Sequence, residues 1–425
     1  MTSELHEVRA LLAADDVSGA ARTLRMIADT LPVHEMASIT AELADRADLD
    51  KLAEAARAAA GAPDNPDAWT VFGYECIEYG VPFAAIPALR EALRAGTTKP
   101  NLALSELVYA FEDEHRHAEA VEALLAHESI LRPYPERYLL TYDSILAGDL
   151  DRARTEFARL AAPEDEDWLP ARDRVHRMLL RADRVAPVSS LDGADLRGWH
   201  YTLTGGYLAT LSPYGFDAGM TGRWAYLGDR LELCRHTLDR LAVILRSAGL
   251  TPSSVSLLPD RSDRIIGLAA AELLGLPVVE FTPDRTDTLV VAYSLADLDP
   301  DLSRALTTRA SGQILFEHAT YWVRPSAVAA DISGLLCQTA VEPWAPNTRL
   351  GGNGPESVPA DARPESEIAR EIVKADGTPD SGDDRTPPDP DQVLADFVAA
   401  TRDTWLLGSR NPVNSPGPVR SSFFG

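Results

Sequence analysis

Pro66-Asp-Ala-Trp69-Thr-Val-Phe72-Gly73-Tyr-Glu-Cys76-Ile-Glu-Tyr-Gly80, followed by Val81-Pro-Phe-Ala-Ala85-Ile-Pro-Ala-Leu89-Arg-Glu-Ala92, decides how the N-terminal half is read. Trp69, Phe72, Gly73 and Cys76 recur at helical spacing on one face, Gly80 supplies a turn, and Ala85, Leu89 and Ala92 line a second helix. Large, small, turn and small in that order describe a helix-turn-helix pair. The motif repeats outward: Ala20, Ala53, Ala85, Ala120 and Ala153 stand 33, 32, 35 and 33 residues apart. Leu24, Leu89, Leu124 and Phe157 each follow four residues later, and Arg57 holds that place in the second unit. A small residue lets two helices approach while the bulky one fills the next groove, so the period predicts a stack of helix pairs.

On these residues the chain resembles the tetratricopeptide repeat family, whose 34-residue consensus places Trp, Leu, Gly and Tyr on a first helix and Ala, Phe, Ala and Pro on a second. Trp69, Gly73, Ala85 and Ala92 match directly, Phe72, Cys76 and Leu89 match in kind, and Pro32, Pro100 and Pro133 fall near the consensus proline. The match is good over 66–166, fair over 1–33 and poor over 34–65. The resemblance implies a right-handed stack of helix pairs over residues 1–184, with first helices lining a concave face that holds a peptide or protein partner. An ordinary helical bundle rich in alanine is the other reading.

A chain of 425 residues exceeds one hydrophobic core, and two or three domains are expected. The formal charge of −25 repels a phosphate backbone and an anionic lipid surface, which argues against nucleic-acid and membrane partners and favours basic ones. No long apolar run indicates secretion or membrane insertion, so a cytoplasmic location is expected. Cys76, Cys234 and Cys337 lie far apart in apolar surroundings and read as reduced core thiols. Lysine occurs only at Lys51, Lys99 and Lys374 against abundant arginine, a bias that fits a bacterial gene rich in G and C.

Beyond a linker at 185–198, the character changes. Aromatics and glycines alternate from Trp199 through Tyr214-Gly-Phe-Asp-Ala-Gly-Met220, which suggests irregular strands and loops. Leu231 to Ser247 returns to helical spacing and ends at Gly249. Strands are then expected at Val255-Ser-Leu-Leu258, Pro277-Val-Val-Glu-Phe281, Thr288-Leu-Val-Val-Ala-Tyr293 and Gln313-Ile-Leu-Phe-Glu-His318, with helices at 263–274 and 300–310. Short apolar strands alternating with helices predict a parallel-sheet α/β domain over 199–345. The acidic, Pro/Gly-rich stretch 346–390 reads as a disordered linker, and residues 391–425 as an amphipathic helix, Asp391 to Leu407, followed by a flexible tail ending in Phe423-Phe424-Gly425.

Open parallel sheets bind ligands at the carboxyl ends of their strands, which selects two loops. Asp260, Arg261, Ser262, Asp263 and Arg264 join a strand to a helix and could present backbone N–H groups and guanidinium charge to a small anion; equally, Ser262 or Asp263 caps the helix. Tyr293, Ser294 and Asp297 begin a polar, acidic loop ahead of Asp299-Pro300, which also reads as a helix start. The order of strands and helices here resembles the type I phosphoribosyltransferase fold, in which the first loop contacts pyrophosphate and a later strand carries two acidic residues before a Thr-Gly phosphate loop. Ala292 and Tyr293 stand where the acidic pair would be, no Thr-Gly follows, and a generic doubly wound domain reads equally well.

Glu112-Asp-Glu-His115-Arg-His117 has metal-ligand residue types but falls at an inter-helix turn and reads as solvated. Trp199, His200, Tyr201, His318 and Trp322 could surround a pocket or simply be core aromatics. Gly205-Gly206 lacks a dinucleotide fingerprint, and no phosphate loop, zinc-binding helix or nucleophile elbow occurs, so no metal site and no particular cofactor is expected. Two functions remain: an adaptor that holds a partner in the helical groove beside a degenerate, ligand-sensing α/β domain, or a phosphoribosyl- or nucleotide-sugar-type transferase whose helices select the substrate. The missing acidic and phosphate-loop residues favour the adaptor.

Overall fold

In the computed structural model, which describes residues 2–324, 326–351 and 354–422, the chain divides into two compact units, Met1–Val175 and His176–Gly425. The division falls inside a helix rather than at the expected linker 185–198. That stretch is folded instead: Asp195 accepts hydrogen bonds from the N–H groups of Leu191 and Gly198, both at 2.9 Å.

The first unit is built from helix pairs: α1 (Thr2–Ala13) with α2 (Val17–Ile27), α3 (Val33–Arg46) with α4 (Asp50–Gly61), α5 (Pro66–Glu78) with α6 (Pro82–Ala95), α7 (Pro100–Asp113) with α8 (His117–Ala126), and α9 (Tyr138–Leu146) with α10 (Leu150–Arg159). All five periodic alanines are buried, as are Leu24, Leu89 and Leu124. Gly73 shows why a small residue is needed, since a Cβ there would lie 2.4 Å from Leu89 Cγ. Asn65 caps α5 by accepting the Asp67 N–H at 3.1 Å, and the turn before α6 uses Gly80 at φ +70°. First helices of successive pairs also meet, α5 packing on α7. The unit closes with the start of α11 (Leu169–Val185).

The second unit is an α/β domain around an all-parallel seven-stranded sheet. Its strands are β1 (Tyr207–Leu208), β2 (Trp224–Gly228), β3 (Ser254–Leu257), β4 (Val278–Glu280), β5 (Thr288–Ala292), β6 (Ile314–Tyr321) and β7 (Ile332–Val341), in the order β1-β7-β6-β5-β3-β4. β2 also pairs with β7, so β1 and β2 share one neighbour, Tyr207 opposite Ile332 and Trp224 opposite Cys337. Every residue of β3 and β5 is buried, as expected of central strands covered on both faces. One face packs on α13 (Leu231–Ala248), α14 (Arg261–Leu274), α16 (Glu365–Lys374) and α17 (Asp391–Thr401). The other carries a smaller core of Leu258, Val290, Ala292, Leu295, Leu306, Leu315, Val328 and Ala330 beside α15 (Pro300–Thr307). β8 (Asn347–Gly351) and β9 (Gly354–Val358) form an antiparallel pair.

Four further expectations are corrected. Residues 199–204 belong to a helix, α12 (Leu196–Thr204), because Asp195 caps it and Leu196, Trp199 and Leu203 form a buried stripe. β7 was not expected at all. The acidic stretch 346–390 is not uniformly without structure: α16 buries Ile368, Ala369 and Ile372 against α14. Charge alone did not foretell this order, because the acids have partners. Asp389 is held by Arg197 at 2.7 Å and by Arg240 at 2.8 Å, both arginines being buried. The expected helix at 391–407 ends earlier, at Thr401, and docks on α13 through Leu394, Phe397 and Val398. The Tyr201 hydroxyl donates to the Thr401 carbonyl at 2.8 Å. Phe423, Phe424 and Gly425 lie outside the described residues. Among the described residues no helix is long and apolar enough to cross a membrane.

Candidate functional site

The two loops selected from the sequence do meet, at the adjacent carboxyl ends of β3 and β5. Asp263 is buried and accepts the Tyr293 N–H at 2.7 Å, and burial pushes its carboxyl up to about 7. Asp260 caps α14 by accepting the Ser262 N–H at 2.8 Å. Ser262 Oγ accepts from Trp344 Nε1 at 2.9 Å. The arginines are occupied: Arg261 Nη2 donates to the carbonyls of Asp361 and Arg363, each at 2.8 Å, and Arg264 pairs with Glu280 at 3.1 Å. Ser294 Oγ accepts the Ala296 N–H at 3.2 Å, and Asp297 faces Arg324 at 3.3 Å. Thus Ser262, Asp263 and Tyr293 converge, whereas Asp260 and Ser294 bond within their own loops, Arg261 and Arg264 reach the 361–363 segment and Glu280, and Asp297 pairs with Arg324.

Tyr293 leads to a buried node that sequence spacing did not reveal. Its hydroxyl donates to Asp229 Oδ2 at 2.8 Å, His318 Nε2 lies 2.9 Å from the same oxygen, and the Cys234 thiol donates to it at 3.3 Å. Thr237 Oγ1 sits 2.7 Å from His318 Nδ1, and the Arg230 N–H reaches Asp229 Oδ1 at 2.8 Å. Burial pushes the Asp229 carboxyl up, but His318 and the donated hydrogen bonds outweigh it and hold the group below the ordinary carboxylate range. Burial and the Asp229 charge push the Cys234 thiol well up, so it remains a donor. Asp229, Cys234 and His318 are metal-ligand types with their ligand atoms within 4.8 Å of one another. Because Asp229 is already satisfied by four protein donors, the node works as a brace joining β2, β5, β6 and α13.

The helical unit presents a different surface. Val71 (51% exposed) and Tyr74 (38%) on α5, and Leu102 (40%) and Tyr109 (36%) on α7, are large apolar side chains left in solvent. Positions 71, 74, 75 and 78, and 102, 106 and 109, each fall on one helical face, so Glu75, Glu78 and Glu106 stand among them. These carboxylates crowd one another: burial and Glu78 push Glu106 up, and Glu78 heads the causes that raise the Tyr74 phenol. Neither α5 nor α7 contains lysine or arginine. The surface is therefore aromatic, aliphatic and acidic at once.

At the far end of α7 the turn read as solvated is so in part: Asp113 and His115 are exposed, Glu112, Glu114 and Arg116 are half-buried, and His117 turns inward. His117 and Asp143 are buried, with Nδ1 2.9 Å from Asp143 Oδ1. Burial and the neighbouring Asp143 push the Glu112 carboxyl up to about 9, and burial lowers His117 to about 4. Of the aromatic and imidazole group suspected around a pocket, Trp199, Tyr201 and His318 are core residues, while His200 and Trp322 line a cavity.

Comparison of the chain with family models, curated proteins and solved structures returns no match. The functional reading therefore rests on these surfaces.

Proposed function

We propose that the protein is a cytosolic adaptor whose N-terminal unit, organised as a tetratricopeptide-like stack, holds a basic peptide or protein segment with interspersed apolar residues on the face of α5 and α7. The observation that carries this reading is the set Val71, Tyr74, Leu102 and Tyr109, exposed beside Glu75, Glu78 and Glu106 on two adjacent helices without a single basic residue. Exposed aromatic and aliphatic side chains supply desolvation energy on binding. Crowded carboxylates select lysine and arginine, since a cation relieves their mutual repulsion. The transferase alternative draws no support from the β3 and β5 loops, whose arginines and hydroxyls are engaged internally.

The test is a panel of short labelled peptides titrated into the full chain: Leu/Ile-containing sequences rich in Lys and Arg, the same sequences with Glu in place of the cations, and purely polar basic ones. The basic apolar peptides should bind best and weaken as salt rises from about 50 mM to about 500 mM, where surface charges are screened over a few ångströms. Equal binding of the acidic peptides, or none in the panel, would contradict the proposal.

A further inference from the structure

On the face of the sheet opposite α13 and α14 lies a cavity of about 90 Å³ between α12, the carboxyl half of β6, β7 and the segment 412–416. Leu203, Leu336 and Val413 give it apolar walls. Into this setting the fold brings Arg223, only 2% exposed. Its Nη2 makes one long hydrogen bond to the Pro416 carbonyl at 3.4 Å, and its guanidinium lies 5.2 Å from the Trp322 ring centroid. Nε and Nη1 are buried with no hydrogen-bond partner among the described residues, and the same holds for Nε2 of His200, which also lines the cavity. The one carboxylate in the wall is Glu317, and its oxygens are already used: Oε1 accepts the Leu295 N–H at 2.7 Å and Oε2 the Thr320 hydroxyl at 2.5 Å.

A buried guanidinium without a counter-ion is among the costliest arrangements a fold can hold, and native structures keep such donors for a partner. Burial lowers Arg223 only to about 10, so it stays cationic at neutral pH, while burial and Arg223 together lower His200 to about 4, leaving a neutral imidazole. One cation with unspent donors, one neutral ring nitrogen and apolar walls match a group carrying one negative charge on an apolar body. A phosphate dianion would keep a second, uncompensated charge beside Glu317 in the same apolar space. At roughly 10–15 Å³ for each water-sized occupant, the cavity admits a body of about six to nine non-hydrogen atoms.

We infer that this cavity is a binding site for a small monocarboxylate with an aliphatic or aromatic body, held by Arg223 and His200. The site is separate from the α5/α7 face and does not depend on that reading. The Asp229 node takes no part in it, and of the two loops at the ends of β3 and β5 only the second touches it, through Ala296 in the wall.

Titration calorimetry on the full chain with hexanoate and benzoate, against 1-hexanol, benzyl alcohol and inorganic phosphate, tests the assignment. Both carboxylates should bind saturably, with the alcohols and phosphate at least tenfold weaker. Arg223→Gln should lose at least tenfold in carboxylate affinity while melting no lower than the parent, because it removes an unpaired buried charge; a residue that serves structure alone would melt lower and leave affinity unchanged. Ala296→Phe, which adds bulk at the cavity wall without touching the polar groups, should abolish binding and decides the matter if Arg223→Gln fails to fold. Absence of saturable carboxylate binding to the parent, equal binding of the alcohols, or unchanged binding in folded Arg223→Gln or in Ala296→Phe would overturn the inference.

Discussion

Gly73 has no side chain because α5 and α6 need the room. A methyl group there would meet Leu89 Cγ at 2.4 Å, so Gly73→Ala should lose about 1–3 kcal/mol by overpacking, outweighing the gain in helix propensity of about 1 kcal/mol. Urea unfolding of the variant measures this, and a stabilised variant would mean that the helices do not approach so closely. Glu112 makes the opposite kind of statement. Its carboxyl, raised to about 9 from an ordinary 4.5, keeps a proton in the fold that the unfolded chain releases, so its contribution to stability is intact below pH 4.5 and is lost as pH rises from there toward 9. Glu112→Gln, which cannot ionise, should therefore stabilise the helical unit by about 1–3 kcal/mol at about pH 8 and change little at about pH 4. An equal effect at both pH values would show that Glu112 is not held protonated.

Among the elements, those whose pattern is local were legible in the sequence and those that depend on distant partners were not. The helix pairs follow from periodic alanines because each buries against its own neighbour, and β3, β5 and β6 follow from continuous apolar runs. β7 escaped because Ser333 and Gly334 interrupt its apolar run, yet the glycine is there for β6: a Cβ would lie 2.4 Å from the His318 carbonyl oxygen. α16 escaped because counting acidic residues ignores their partners. Asp389, near the end of this acidic region, faces two buried arginines. Asp389→Ala would leave buried Arg197 without a carboxylate and Arg240 with Asp391 alone, and should destabilise the α/β unit by about 3–5 kcal/mol, exposing 375–390 to protease before the sheet. Melting and cleavage patterns like those of the parent would place the anchoring elsewhere.

Over the whole molecule, the charge of −25 is a blunt quantity, and its distribution is what carries meaning. Scanning residues 66–78 and 100–113 for lysine and arginine would have found the acidic face directly, since neither stretch contains one. The Arg223 and His200 cavity had no such marker, because its groups are gathered from α12, the loop before β2 and the strands β6 and β7 only by folding. The candidate loops were placed correctly at adjacent strand ends, but their arginines reach carbonyls and a carboxylate that sequence order does not foretell. The adaptor reading stands or falls on the α5/α7 face. Its most direct test is the affinity of the best basic apolar peptide for the parent and for Tyr74→Ala combined with Leu102→Ala, both exposed positions whose truncation leaves the core untouched. The account predicts about a tenfold or greater loss with an unchanged melting temperature; the same affinity in the folded double variant would contradict it.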